Sequence, residues 1–494
     1  MNPSDKDNPE NQFWALNEKD KLIIDNYRYK RWLERNGFFK YYPEGSPAFI
    51  LIRVVDKIIE EVTEIKIKDF VLKFLCEMGQ YEVYQIVTNK PILFKDDILN
   101  TLEEKKINFL ADTRDCCYIY FKNFAIEIKA KSISTIKYKN LHSFVWRRHI
   151  IDFDYKKSDD IVCDFNRFIF NVSGQNERKA FSVRSTIGYL LSGFKSSANN
   201  KAIIINDEMI SENPNGGTGK GLFVTGISKM KRVEIIDGKT FKVDKSFLYQ
   251  TVSVDTHIIA FDDAAKNFPF ESLFSVITEG ITLEKKGKDA IKIPVSKSPK
   301  ILITTNYTSG SDGHSFTRRK HELEFSQHYN KDLTPLDEFG RLLFDDWDSE
   351  EWNKFYTYMI GCVQIYIENG LIESEYTNLL TRKFISKNSF EFYEWTNMAD
   401  LPDNENRIPL DKEFAKSEEF DKFIYNYPDL RKWFTGKKFH QCLERYAEFH
   451  KYTFKSGSRN GVRWAAIYTK NQPKQVQISE IVPEITIGSD AAPF

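Results

Sequence analysis

The chain has little cysteine, no excess of either charge and no long apolar run. Its six cysteines (Cys76, Cys116, Cys117, Cys163, Cys362 and Cys442) are scattered through 494 residues. They form no CxxC pair and no His/Cys spacing of the zinc-ribbon kind, which points to reduced thiols rather than a structural metal or a disulfide frame. Lysine plus arginine equals aspartate plus glutamate, at 71 each. No overall field therefore draws the molecule to a polyanion, and any such partner must be met by local clusters. No apolar stretch reaches the roughly 18 residues of a membrane-spanning helix. The opening MNPSDKDNPENQ is polar and acidic, unlike a secretory signal. These absences imply a cytoplasmic protein with no membrane partner. Internal repeats are absent as well.

What is present is ample core material, with 40 phenylalanines and 24 tyrosines, in a chain long enough for two to four domains. After a loose tail (1–20), a mixed region (21–158) predicts an N-terminal α+β domain. There, 48–65 and 116–128 are strand-like and 67–78 has helical apolar spacing. Helices are expected through 159–195. The rhythm then changes: AIIIND (202–207), HIIAFDDA (257–264) and KILITTN (300–306) are short apolar strands separated by helical stretches. That alternation predicts an α/β core with a mostly parallel sheet over 159–345. Residues 346–375 read as a helical connector, with Trp352, Phe355, Met359, Val363 and Tyr366 on one stripe and a stop at Gly370. A helix at 437–452 and a hairpin with a basic, glycine-containing turn at 452–470 follow inside a last domain, 376–471, and 472–494 is a mildly acidic tail.

Between the first of these strands and its helix lies ENPNGGTGKG. A phosphate cradle needs consecutive backbone N–H groups facing one point, a lysine for the β and γ phosphates, and a helix N-terminus behind them. Gly216, Gly217, Thr218, Gly219, Lys220 and Gly221 supply an ATP-binding loop of that kind. Two positions depart from GxxxxGK[ST]: Pro214 stands for the first glycine, and Gly221 for the hydroxyl residue that normally meets Mg²⁺. Downstream, Asp262 and Asp263 end the second strand, where one carboxylate can hold Mg²⁺ and its neighbour can polarise a water. Asn306 ends the third, where an amide can reach the γ-phosphate. Arg318 and Arg319 follow in SFTRR.

This order resembles the superfamily 3 helicases, an AAA+ branch, and in particular the phage and plasmid primase-helicases and their poxvirus kin. The matching stretches are NGGTGKG, IIAFDD, ILITTN and SFTRR, and the resemblance covers about residues 180–345. It implies an AAA+ P-loop ATPase core that uses ATP and Mg²⁺. Asp262 would hold the metal, Asp263 and Asn306 would be catalytic, and Arg318 or Arg319 would act on a neighbouring subunit's nucleotide. It also implies a ring, ordinarily a homo-hexamer, and a DNA-binding hairpin between the second and third motifs. Residues 277–294 fill that slot, with Gly280 suited to its turn and Lys285, Lys286 and Lys288 at its tip.

The flanks fit the same picture. IIDFD (150–154) imitates a primase acid pair with Asp152 and Asp154, but no partner element follows, so priming would belong to a separate primase or replication protein. From Arg431 to Lys470 there are ten Lys/Arg against two Glu, interleaved with Trp433, Tyr446, Tyr452 and Trp464. A winged-helix-like domain would turn this net +8 toward DNA through Lys437, Lys438, Arg459 and Arg463. The resulting expectation is an ATP-driven helicase or translocase acting on single-stranded and forked DNA for a mobile element, in the host cytoplasm. The alternatives are a DNA-binding ATP switch, such as an initiator or loader, and a protein-remodelling ATPase.

Overall fold

The computed structural model describes residues 12–44, 48–196, 198, 200–208, 217–242, 248–265, 267–284, 290–307, 318–397 and 408–469. The chain divides into two compact units, Met1–Leu379 and Leu380–Phe494.

In the first unit, helix Asn26–Arg35 starts where the Asp25 carboxylate accepts two backbone N–H groups. Strands Phe38–Tyr41, Ile50–Val55, Ile58–Glu61 and Val145–Trp146 form a four-stranded sheet. Helix Glu64–Glu77 buries Ile67, Val71, Phe74 and Leu75, as its spacing predicts. Strands Cys117–Tyr120, Ala125–Lys129 and Ser132–Ile136 make an antiparallel sheet. Its inward residues Cys117, Ile119, Ile126 and Ile128 join the main hydrophobic core. Among the described residues Asp152 and Asp154 belong to no cluster of three acidic or metal-ligating side chains, and Asp152 lies 3.4 Å from Lys122 at an exposed surface.

The central element is a five-stranded sheet built from β1 (Ala202–Asp207), β2 (Val233–Asp237), β3 (Ile258–Ala264), β4 (Lys300–Thr305) and β5 (Lys320–Phe325). Its order is β2-β3-β4-β1-β5, and every pairing is parallel. This mixed α/β arrangement is compatible with a P-loop core. The apolar runs follow from burial on both faces. Ile203 and Ile205 of β1 pack into one core cluster, and Ala202 and Ile204 into another on the opposite face. Helices α1 (Asp164–Val172), α2 (Glu177–Leu191) and α3 (Lys220–Ser228) contribute to the first of these clusters. Helix α4 (Ser349–Asn369) presses against α2, and a Cβ at Gly188 would lie 2.1 Å from the Cys362 carbonyl oxygen. Gly370 ends α4 at φ 72°.

A buried cation ties α2 to the sheet. Lys300 opens β4 and is 1% exposed; its ammonium donates to the carbonyls of Tyr189 and Ser192 at the C-terminal end of α2. A cation is favoured there by the helix dipole, yet burial pushes the Lys300 pKa down to about 7.

The second unit runs as helices Leu379–Lys387 and Phe390–Asn397, strand Glu413–Ala415, helices Lys416–Asn426 and Gly436–Phe449, and strands Thr453–Arg459 and Val462–Tyr468. The last two pair through Arg459 and Val462 across Asn460 (φ 51°) and Gly461 (φ 80°), the two-residue turn that an Asn-Gly pair favours. Among the described residues no helix is long and apolar enough to cross a membrane.

Lys300 makes a pH prediction. A lysine whose pKa falls on folding binds its proton less tightly when folded, so stability rises as pH climbs above the folded value. Between about pH 7 and 9, urea unfolding should show wild type gaining on Lys300→Met by up to about 1.4 kcal/mol per pH unit. A gap that stays constant across that window would contradict a depressed Lys300.

Candidate nucleotide-binding site

The site forms at the carboxyl edge of the parallel sheet, where an α/β fold leaves its crevice. β1 ends in Asp207, β3 carries Asp262 and Asp263 just before its last residue Ala264, and β4 is followed by Asn306. Because β4 lies between β1 and β3, groups on all three strands share one edge.

The loop meets this edge at α3. Gly219 caps the helix at φ 95°, and Gly217 before it stands at φ 104°. Both are left-handed conformations that glycine adopts without a Cβ penalty. Gly219 has a second reason to be glycine, since a Cβ there would lie 2.6 Å from the Phe168 ring of α1. Gly221 has neither constraint: among the described residues no atom outside its own helix backbone and chain neighbours would lie within 4 Å of a Cβ there, and it sits in the first turn of α3. Gly216 lies outside the described residues.

Lys220 is the hub. Its ammonium is 2.5 Å from Asp207 Oδ1 and 2.6 Å from Asn306 Oδ1, with Thr218 Oγ1 at 3.3 Å. Thr218 in turn donates to the same Asp207 oxygen at 2.5 Å. The Lys220 and Asp207 side chains are only 11% and 5% exposed. Removing either charge would strand the other in a dry site, at a cost of about 3–5 kcal/mol. Asp207 is absent from the motif pattern that singles out the other residues. Its signal was the polar Asn-Asp ending of an otherwise apolar strand.

The acid pair is shaped by a bulge. Phe261 pairs with Ile303 and Ala264 with Thr305, so Asp262 and Asp263 together face the single Thr304. The Thr304 hydroxyl donates to Asp262 Oδ1 at 2.6 Å and accepts the Asp263 backbone N–H at 2.8 Å. Asp263 takes φ 52°, and its carboxylate pairs with Lys239 at 2.5 Å. That hydrogen bond raises the Lys239 pKa. Gly238 closes over the bulge: its N–H donates to the Asp262 carbonyl, and a Cβ there would meet Ala264 Cα at 2.7 Å. Thr304 lies within ILITTN, whereas Lys239 lies outside every motif stretch.

The structure thus brings Lys220, Thr218 and Asn306 into contact and places Asp262 one hydrogen bond from the strand that leads to Asn306. It does not bring Arg318 and Arg319 there. The Arg319 carbonyl accepts the N–H of Ala202, the first residue of β1, whereas Asp207 is the last. The arginines are therefore a strand length away, about 17 Å at a β rise, and the Arg319 guanidinium lies over the Phe274 ring. The hairpin slot holds paired strands Gly280–Leu283 and Ile291–Pro294. Gly280 is not in the turn. It opens the first strand at φ 111°, where a Cβ would strike the Ile293 carbonyl oxygen, and strand pairing rather than turn geometry explains the glycine. Lys285, Lys286 and Lys288 lie outside the described residues. In the second unit Lys437, Arg459 and Arg463 are exposed, and Lys438 is half-buried with its ammonium 4.5 Å from the Trp433 ring centre.

The donor set suits Mg²⁺ only in company with phosphate. Among the described residues no cluster of three or more His, Cys, Asp or Glu could cage a metal. Mg²⁺, however, is usually held by one or two carboxylates plus substrate phosphates, and Asp207 and Asp262 are hard oxygen donors on this edge.

No protein-family model matches the chain, and no curated protein matches it. Among solved structures, the apo NrS-1 C terminal region is 12% identical, with a TM-score of 0.42 over 90% of this chain and 99% of that one. An A-form apo structure of the same region is 10% identical, with a TM-score of 0.40 over 89% and 98%. A JCV helicase with a bound acetamide compound is 11% identical, with a TM-score of 0.25 over 41% of this chain and 53% of that one. These likenesses are distant, and the geometry of the site stands without them.

Two glycine substitutions separate the constrained backbone from the free one. Gly238→Ala should lower unfolding free energy by about 1–3 kcal/mol through overpacking against the bulge. Gly221→Ala should leave it unchanged or raise it by up to about 1 kcal/mol, since alanine favours helix. Thermal melts of the two variants check this, and equal effects would contradict the bulge account.

Proposed function

We infer that the protein binds ATP at the Lys220 loop and hydrolyses it to drive movement along DNA. The observation that carries this reading is the Lys220 ammonium, poised at a helix N-terminus on the carboxyl edge of a parallel sheet, between Asp207 and Asn306. An ammonium and free helix N–H groups at one point match the charge of a β,γ-phosphate pair. Lys220 neutralises those oxygens as charge develops on them. Asp262 would hold the metal, Asp263 would polarise the attacking water, and Asn306 would contact the γ-phosphate. When bound, Mg²⁺ supplies charge neutralisation between the phosphates. Arg318 and Arg319, remote from Lys220 in their own chain, act on a neighbouring subunit's nucleotide, which calls for a ring such as a homo-hexamer. This is the part order of the superfamily 3 helicases and their AAA+ relatives.

DNA is the partner that the charge pattern favours. The second unit's strand–helix–helix–hairpin order is the frame of a winged helix, and exposed Lys437, Arg459 and Arg463 give it phosphate contacts. Lys438 joins them beside Trp433. The hairpin lysines Lys285, Lys286 and Lys288 would meet a single strand in the ring, and a separate primase or replication protein would prime.

Two features favour a second reading, an ATP-binding switch that barely hydrolyses: Gly221 gives the first turn of α3 no hydroxyl, and the Asp263 carboxylate is held by Lys239.

Four measurements on the full chain test these readings. Lys220→Ala should abolish ATP binding. Arg318→Ala with Arg319→Ala should keep binding but cut hydrolysis by roughly 10³-fold or more; normal hydrolysis in that variant would end the trans-acting role. Single-stranded DNA should stimulate the ATPase, and a forked substrate should be opened. Binding without either activity would favour the switch.

A further inference from the structure

Asp207 has no place in the phosphate-loop pattern, yet its carboxylate organises the loop. One oxygen, Oδ1, takes both the Lys220 ammonium and the Thr218 hydroxyl, in a side chain 5% exposed. Lys220 cannot serve that carboxylate and a triphosphate equally. Drawn onto phosphate, it leaves a buried anion facing the negative charge of ATP, which is unfavourable unless another cation replaces it. In GxxxxGK[ST] loops the residue after the lysine gives Mg²⁺ its protein oxygen, and here that residue is Gly221. Among the described residues nothing crowds the position a Gly221 side chain would take, so the oxygen is missing for want of a side chain.

We propose that Asp207 supplies the protein oxygen for the Mg²⁺ of MgATP that Gly221 lacks, with Thr218 orienting the carboxylate and Lys220 standing in as its counter-ion until nucleotide arrives. The proposal rests on the nucleotide reading above. It makes ATP binding an exchange of partners: one ion pair inside the protein gives way to two, lysine with phosphate and aspartate with metal.

Calorimetry of the full chain with the β,γ-imido analogue of ATP, in Mg²⁺ or in EDTA, tests it without reference to turnover. In wild type, Mg²⁺ should tighten analogue binding by about tenfold or more. In Asp207→Asn, the EDTA affinity should hold or improve, because a competing anion is gone, while the Mg²⁺ gain shrinks to less than about threefold. Adding Gly221→Ser to Asp207→Asn should restore the gain. An undiminished gain in Asp207→Asn overturns the proposal. A double variant that stays insensitive to Mg²⁺ also overturns it and leaves Asp207 as a residue that only positions Lys220. Asp207→Cys gives an independent route if the asparagine variant does not fold: a soft thiolate should exchange the Mg²⁺ gain for a Cd²⁺ gain, and no exchange counts against ligation. If wild type binds the analogue no better than Lys220→Ala in either condition, the nucleotide reading itself fails and the Asp207 proposal falls with it.

Discussion

A single ammonium group holds the candidate site together. Lys220 reaches back from the first turn of α3 to the ends of two adjacent strands, bonding Asp207 on one and Asn306 just beyond the other. Without it, a buried carboxylate would lack its partner and the glycine-rich loop would lose its tether to the sheet. Buried ion pairs of this kind add little net stability compared with an apolar contact, but breaking one is expensive. Lys220 and Asp207 are therefore better understood as a device for setting position than as a source of folding energy. The apolar faces of β1, β3 and β4 supply that energy.

The sheet order makes the device possible. With β4 between β1 and β3, the residue after β4 is adjacent to both the loop strand and the acidic strand. The bulge at Asp262 and Asp263 then gives two carboxylates two directions from a single strand position. The Thr304 hydroxyl donates to the Asp262 carboxylate and accepts the Asp263 backbone N–H, while Lys239 claims the Asp263 carboxylate from outside. Gly238 can pack over this bend only because it has no Cβ. Strain and close packing sit together where a charged ligand would have to be held with little freedom.

Much of this was legible in the residues, and for identifiable reasons. AIIIND, HIIAFDDA and KILITTN are apolar on both faces, and only a sheet covered on both sides needs that pattern, so the parallel core could be read directly. The glycine-containing turn within 452–470 marked its hairpin, and in the structure Asn460 and Gly461 both take positive φ there. What escaped was longer in range. Asp207 lies 13 residues before its lysine, outside any motif window, and its partnership depends on how the intervening loop returns. Glycine signals a turn more often than a tight strand pairing, so Gly280 points to the wrong feature, and only the approach of the Ile293 carbonyl tells them apart. Nor could periodicity reveal that the strands of 117–128 bury their inward side chains in the same core as α1 and α2.

The central claim is that the Lys220 hub is a seat for nucleotide phosphate. A crystal or cryo-EM structure of the full chain with a non-hydrolysable ATP analogue tests it most directly. The account predicts the β and γ phosphates at the N-terminus of α3, with the Lys220 ammonium moved from Asp207 onto their oxygens. Analogue bound elsewhere, or Lys220 still locked to Asp207 at saturating analogue, would contradict it.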